Sequence, residues 1–398
     1  MIRKEKVRLF LLEVYNLLRI AECLNSLRFE NTRYGKISEE HKGSLKWLWT
    51  KQEYLAWSST SSSDLLLVEG KPGSGKSTLM KYIQRSFMQQ ELHGKQIVAS
   101  FYYSYREGEQ QTNHSNMLRS ILYDILNQNE TFFFHFQRSY REREGRPWSY
   151  DSLKEILLSL TKHHPVKSRI CFIIDAVDES VDGDRYDVIQ LLHRLCAIKG
   201  PCVVKVFVAS RPIVGLNRHS AEKDKVIRLE DVNAPDISNF AESFLLRLEF
   251  PPDIIKEAKE YIVQNAQGVF VWVHLVKEEL LRFARSGTTE DRIFSFLKSL
   301  PTELEGFYGR ILTGLEGGKR EDINDGFRML QFVLFAYRPL RLEELRQALG
   351  IPDNLNTTFS CSSEIFERNL IHGIDKRLIS CAGNFLETKN VHGSAFSE

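Results

Sequence analysis

The sequence has no excess of charge, no long apolar run and no paired cysteines, and each absence removes a class of protein. Lys and Arg number 54 against 52 Asp and Glu, a net of +2, so no global field draws the chain to nucleic acid or an anionic membrane. No window approaches the roughly 18 uninterrupted apolar residues of a transmembrane helix. The cysteines Cys23, Cys171, Cys196, Cys202, Cys361 and Cys381 form no CxxC pair and no zinc spacing. Reduced thiols in a cytoplasmic protein account for them, with Cys171 a small hydrophobe inside a very apolar run. No internal repeat with a period of about 20–50 residues is present. At the N-terminus, Arg8, Glu13 and Arg19 interrupt the apolar stretch and no small-residue cleavage site follows. Phe10, Leu11, Val14, Leu17 and Leu18 share one helical face, which predicts a packed amphipathic helix rather than a signal peptide.

What is present is an ordinary globular composition, 42% hydrophobic and 27% charged over 398 residues, long enough for two or three domains. Residues 1–59 read as a helical lead-in with irregular chain and a short helical segment around Leu45–Trp57. The polar run from Ser58 to Asp64 closes it. Short buried strands are then predicted at Leu65–Val68, Ile97–Tyr103, Ile170–Ile174, Val203–Ala209 and Val226–Leu229. Helices are predicted between them at Ser77–Met88, Asn113–Leu126, Ser152–Thr161 and Tyr186–Ala197. This alternation predicts an α/β domain over 60–232, a three-layer parallel sheet. Helical periodicity continues through Ile237–Leu248, Ile254–Asn265, Val269–Phe283 and Asp291–Leu300, an all-α region over 233–300. A helix–turn–helix over Phe327–Phe335 and Arg338–Gly350 marks a last region, 301–398.

Gly70-Lys71-Pro72-Gly73-Ser74-Gly75-Lys76-Ser77 fits G-x4-G-K-[ST] in full, with Thr78 next. A strand precedes it and a helix opens at its lysine, the context a phosphate-binding loop needs. The glycines let successive backbone N–H groups point inward as an anion nest at a positive helix end. Lys76 is expected to reach the β- and γ-phosphates of a nucleoside triphosphate, and the Ser77 hydroxyl to bind Mg2+. The metal also needs a carboxylate from a strand beside the P-loop strand. Asp175, emerging after Ile170–Ile174, supplies it, directly or through a water. Asp178 and Glu179 follow within reach of a γ-phosphate, and either could orient or deprotonate an attacking water. Another strand ends in Ser210, Arg211 and Pro212. Ser210 or Arg211 would sense the γ-phosphate, or Arg211 would close an ion pair at the strand end.

Together these segments resemble the fungal NACHT-type P-loop NTPases of the signalling STAND class, in particular the nephrocystin-like N-terminal domain group. Leu27–Glu30 with Arg33, and His41–Trp49, resemble the lead-in of that group. Gly70–Thr78 resembles its Walker A motif, Asp175–Glu179 its Walker B motif with a small residue after the first Asp, and Ala209–Pro212 its sensor strand. Gly268–Val276 and Arg338–Leu345 resemble its helical and winged-helix-like segments. The resemblance implies a slow ATPase that acts as a conformational switch: ADP-bound and closed at rest, ATP-bound and oligomerising when triggered, and tied in fungi to non-self recognition and cell death. It carries Lys76, Ser77, Asp175, Asp178, Glu179 and Arg211 onto matching positions. Relatives carry an effector domain and a repeat array that are not read in these residues, so a truncated product or a partner of other NLR-like subunits is the expectation. His392 stands in an abbreviated tail, either facing the nucleotide from a winged helix or on a frayed surface.

Other readings stand beside the switch: a conventional P-loop ATPase or kinase, and a scaffold that holds nucleotide without hydrolysis. No Asn/Thr-Lys-x-Asp run follows a strand, which favours adenine over guanine. Phe101–Tyr105 reads as an aromatic strand under helices rather than a base-stacking platform. Arg141–Arg146 mixes signs as a solvated helix end does. Trp272 and His274 fall in a helix expected to serve core or interdomain packing. Three Arg against two Glu over Arg338–Leu349 favour a winged-helix scaffold over a DNA reader.

Overall fold

A computed structural model of the chain describes residues 2–89, 96–181, 185–213, 225–248, 250–284, 289–316, 320–351, 363–382 and 386. His392 and Cys361 lie outside the described residues. The chain forms two compact units, Met1–Asn239 and Phe240–Glu398. In the first, α1 (Ile2–Leu27), α2 (Thr32–Lys36) and α3 (Gln52–Ser59) lead into β1 (Asp64–Glu69) and α4 (Lys76–Gln89). Then follow β2 (Ile97–Tyr102), α5 (His114–Gln128), α6 (Phe133–Glu142), α7 (Tyr150–His163), β3 (Ser168–Asp175), α8 (Arg185–Ala197) and β4 (Cys202–Ser210). The unit closes with β5 (Val226–Arg228), α9 (Leu229–Val232) and the start of α10 (Ala234–Leu245).

The five strands form one sheet in the order β2-β3-β4-β1-β5, with every described pairing parallel. Parallel strands are covered on both faces, which is why Leu65–Val68 and Ile170–Ile174 read as continuous apolar runs. Alternate side chains feed two cores. Ala99, Phe101, Phe172, Ile174, Val206 and Val208 pack with α5, α7 and α8 residues on one face. Val68, Cys171, Ile173 and Phe207 meet Leu79, Met80 and Ile83 of α4, together with Leu48 and Trp57 of the lead-in, on the other. The open edge at β2 is covered by polar side chains of α5. Asp124 accepts from the Ser100 N–H (2.9 Å), and Gln128 both accepts from the Val98 N–H (3.0 Å) and donates to the Val98 carbonyl (2.6 Å). An edge closed in this way offers no template to another strand.

Two expectations needed revision. Val14, Leu17 and Leu18 of α1 are 37%, 53% and 60% exposed. Cys23 and Leu27 in its last turns are wholly buried, and the side chains of Phe10 and Leu11 lie outside those described. The lead-in holds a helix, α2, where irregular chain was expected. At five residues with a glycine inside it, α2 is too short for periodicity to announce.

The lead-in is fastened to the end of the same unit. Leu45 takes a left-handed backbone (φ 65°), which costs a residue with a Cβ about 1–3 kcal/mol. Asp236 holds it there, accepting from the Leu45 N–H (3.1 Å) and from Trp47 Nε1 (2.8 Å). Asn239 Nδ2 donates to the Lys42 carbonyl (3.1 Å).

The second unit is helical among its described residues. Its elements are α11 (Pro252–Ala266), α12 (Phe270–Ala284), α13 (Glu290–Ser299), α14 (Leu304–Glu316), α15 (Arg320–Phe335), α16 (Leu342–Leu349), α17 (Ser363–Asn369) and α18 (Ile374–Ala382). Trp272 is buried and donates to the Pro301 carbonyl (2.8 Å), whereas His274 is exposed. In the helix–turn–helix of α15 and α16, Arg338 makes a bidentate pair with Glu344 (3.0 and 2.6 Å) and Arg346 pairs with Glu343 (2.9 Å). Two of the three arginines between Arg338 and Leu349 are thus paired within the segment.

Replacing Asp236 by Ala leaves two donors without an acceptor and the Leu45 conformation unsupported. Urea unfolding of the full chain, followed by tryptophan emission, is expected to show a loss of about 1–3 kcal/mol, with Asp236→Asn closer to wild type. An unchanged midpoint would mean water replaces the carboxylate.

Candidate nucleotide-binding site

β1 ends at Glu69 opposite Ser210 of β4, and β3 ends at Asp175 opposite Tyr102 of β2. The crevice outside these carboxyl ends is where an open parallel sheet binds ligands. Asp175 was expected on the strand adjoining the P-loop strand, but β4 lies between them. Local sequence signals locate strands, whereas their lateral order is set by how the crossover helices pack. The inserted strand brings Ser210 and Arg211 between the P-loop and Asp175.

The loop after β1 is built as the motif requires. Gly73 and Gly75 have φ of 74° and 97°, the left-handed region that penalises any Cβ. At Gly70 a Cβ would lie 2.6 Å from Ser74 Oγ and 3.3 Å from Leu229 Cβ. The Ser74 N–H donates to the Lys71 carbonyl (3.2 Å), and the Leu79 N–H to that of Gly75 (3.0 Å). Ser77 and Thr78 therefore stand in the first turn of α4, at its positive end. Lys76 Nζ donates to the Gly70 and Lys71 carbonyls (2.7 and 3.0 Å). Burial pushes its pKa down, while the charges of Asp178, Asp175 and Glu230 push it up.

Asp175 is wholly buried, and neither carboxylate oxygen accepts a hydrogen bond from any described residue. Burial pushes its carboxyl up to about 6, resisted by the Ser77 hydroxyl and by the charges of Arg33 and Lys76. The Ser77 hydroxyl thus lies near enough to favour the carboxylate without a well-aligned hydrogen bond. A buried, donorless carboxylate beside the P-loop serine is a donor set that fits Mg2+, which takes one or two carboxylate or hydroxyl oxygens and keeps several waters.

Past Asp175 the chain turns sharply, with Ala176 at φ 54°, ψ 48°. A small side chain there keeps the left-handed cost low. The turn sends Asp178 and Glu179 to different partners. Asp178 Oδ1 accepts from Ser210 Oγ (3.2 Å) and the Arg211 N–H (3.0 Å), and Oδ2 pairs with Arg211 Nε (3.2 Å). Glu179 accepts from the Tyr105 N–H (3.1 Å). Of the two roles weighed for Arg211, the ion pair at the strand end is the one present.

The structure thus gathers Gly70, Gly73, Ser74, Gly75, Lys76, Ser77, Thr78, Asp175, Asp178, Glu179, Ser210 and Arg211 at one edge. Two residues that the sequence left unmarked join the site, and Arg33, marked only as part of the lead-in, is linked to it. Buried Asn233 donates to the Ser74 carbonyl of the P-loop (3.3 Å), Glu230 lies near Lys76, and Arg33 acts on Asp175. Each is far from the phosphate motifs in sequence, and no local pattern marks Asn233 or Glu230.

The buried charge of Asp175 has a measurable cost. Its carboxyl titrates near 3.8 unfolded and about 6 folded, so stability falls as pH rises from about 4 to 6, by about 3 kcal/mol in all. The ligand-free Asp175→Asn variant is expected to match wild type below about pH 4 and to exceed it in unfolding free energy at pH 7. Equal stability of the two at pH 7 would show that the carboxylate carries no burial cost.

Comparison with known proteins agrees with this geometry. Residues 43–211 match the family model described as "Nephrocystin 3, N-terminal". The chain is 26% identical over 355 residues to "Vegetative incompatibility protein HET-E-1" of Podospora anserina, an overlap covering 84% of this chain and 25% of that protein. The chain thus spans about a quarter of the length of this curated relative. Among solved structures, the Walker-type ATPase PABY2304 of Pyrococcus abyssi overlaps at TM-score 0.34 and 13% identity, covering 87% of this chain and 93% of that one. The Drosophila ORC bound to DNA overlaps at TM-score 0.36 and 11% identity, covering 83% and 77%. Overlaps this loose carry no inference. The family match and the long overlap with the incompatibility protein establish the resemblance read from the motifs, that of a nephrocystin-like N-terminal, NACHT-type P-loop NTPase.

Proposed function

We propose that the chain is a STAND-type switch that binds ATP or ADP with Mg2+ and hydrolyses ATP slowly. The observation that carries this is Asp175, sealed at the strand edge with no donor, beside Ser77 and the nest of Gly73 and Gly75. In this reading the loop N–H groups and Lys76 hold the β- and γ-phosphates, and Ser77 with Asp175 holds the metal. Bound Mg2+ supplies neutralisation of the charge that grows on the phosphate oxygens. Glu179, held by the Tyr105 N–H, orients the attacking water, while Asp178 restrains Arg211.

The Asp178–Arg211 pair gives the switch its two states. A γ-phosphate offers Arg211 a doubly bonded partner, which competes with Asp178. Only a ligand that prefers one arrangement can shift the balance between them. The triphosphate does so and the diphosphate does not. The similarity to an incompatibility protein supports a signalling role in fungal non-self recognition or cell death, with self-assembly or NLR-like partners on activation. No described helix is long and apolar enough to cross a membrane, and the free thiols of Cys23, Cys171, Cys196, Cys202 and Cys381 suit a reducing cytoplasm.

Purified protein is expected to carry bound ADP as a monomer and to assemble when a non-hydrolysable ATP analogue replaces it, as read by nucleotide analysis and light scattering. Lys76→Ala is expected to lose about a hundredfold in nucleotide affinity. Rapid turnover without assembly would mark a conventional ATPase instead, and unchanged affinity in Lys76→Ala would remove the site.

A further inference from the structure

Two cations act on the Asp175 carboxylate besides the Ser77 hydroxyl, and only Lys76 belongs to the P-loop. Its ammonium is turned to the Gly70 and Lys71 carbonyls. The other is Arg33, on α2, outside the span 43–211 that the family model matches.

The lead-in around Arg33 is fixed over the ends of β2 and β3 from several sides. The Tyr34 ring meets that of Tyr102 edge-on at 5.4 Å, and Tyr102 is the register partner of Asp175. Gln111 Nε2 donates to both Asn31 Oδ1 (3.0 Å) and the Tyr102 carbonyl (2.6 Å). The Thr32 hydroxyl and the Lys36 ammonium converge on Glu107. From α4, Lys81 donates to the Ile37 carbonyl (2.7 Å) and lies over the Tyr34 ring at 5.2 Å. Within this framework Arg33 is half-buried and forms no hydrogen bond or ion pair with any described residue. None of its five donors is taken up by a described residue.

The diphosphate part of a nucleotide is met by the loop N–H groups and Lys76. A third phosphate adds charge beyond the nest, toward an edge that already carries Asp175, Asp178 and Glu179. Arg211 is paired there with Asp178, so a γ-phosphate must compete for it, and one cation alone does not match the added charge. We propose that Arg33 reads the terminal phosphate of a bound nucleoside triphosphate, as a cation delivered by the lead-in helix across the sheet edge from Arg211. This rests on the nucleotide reading of the P-loop and makes α2 part of what distinguishes triphosphate from diphosphate. A guanidinium suits that task because its planar fork meets two phosphate oxygens at once.

The test uses the full chain with Mg2+, a fluorescent ADP as probe and a non-hydrolysable ATP analogue as competitor. Arg33→Ala is expected to weaken the triphosphate analogue about tenfold or more, the loss of a charge-assisted hydrogen bond, and to leave ADP affinity within about twofold, which also shows that the variant folds. Arg33→Lys, with charge but no fork, is expected to recover part of the loss. Equal losses for both nucleotides, or an unchanged triphosphate affinity, would overturn the proposal. If wild type and Lys76→Ala are alike in binding neither nucleotide, the P-loop reading falls and Arg33 with it. If they differ as expected while Arg33→Ala matches wild type, only the role of Arg33 falls.

Discussion

A carboxylate that accepts no well-aligned hydrogen bond from any described residue, sealed between strands, is expensive to keep, and the first unit keeps one. Asp175 is wholly buried, and burial moves its carboxyl up to about 6. At neutral pH the ionised form predominates, so most folded molecules without ligand carry the cost. Such a group is tolerated where something binds to it. The positive end of α4, the Ser77 hydroxyl and Lys76 stand at the same strand edge as Asp175, and in the proposed reading they form an anion-and-metal site with it.

The inserted strand β4 is what turns that site into more than a cradle. With β1 and β3 adjacent, the P-loop and Asp175 would meet directly and nothing would stand between them to sense occupancy. With β4 between them, Ser210 and Arg211 emerge in the middle of the crevice and engage Asp178. The left-handed Ala176 makes the turn that presents Asp178 to them. In the proposed reading, a change in phosphate number would reach this pair, which has one arrangement already and could be offered another.

The legible parts of this arrangement were those with local signatures. G-x4-G-K-[ST] fixes the loop because positive φ at Gly73 and Gly75 can be filled by little else, and the apolar runs Leu65–Val68 and Ile170–Ile174 announce strands buried on both faces. The predicted bounds of β1–β5 lie within a residue or two of those observed. The illegible parts were those decided by packing at a distance. The order of β4 and β3, the Asn233 contact to the P-loop and the docking of α2 by Tyr34, Asn31 and Lys36 join residues many tens of positions apart. Helix α6 was not predicted, although Phe133 and Phe136 stand at helical spacing and are buried; the exposed Phe134 beside them blurs that face. The apolar stripe of α1 announced a helix correctly but overstated how much of it this unit buries.

The account depends on Asp175 and Ser77 forming a metal site together with the P-loop nest. Calorimetric titration of the full chain with ADP, in Mg2+ and again in EDTA, measures this directly. The account predicts binding that weakens at least about tenfold when the metal is removed. It also predicts that this difference vanishes in Asp175→Asn. Equal affinity in Mg2+ and EDTA for the wild-type chain would contradict it.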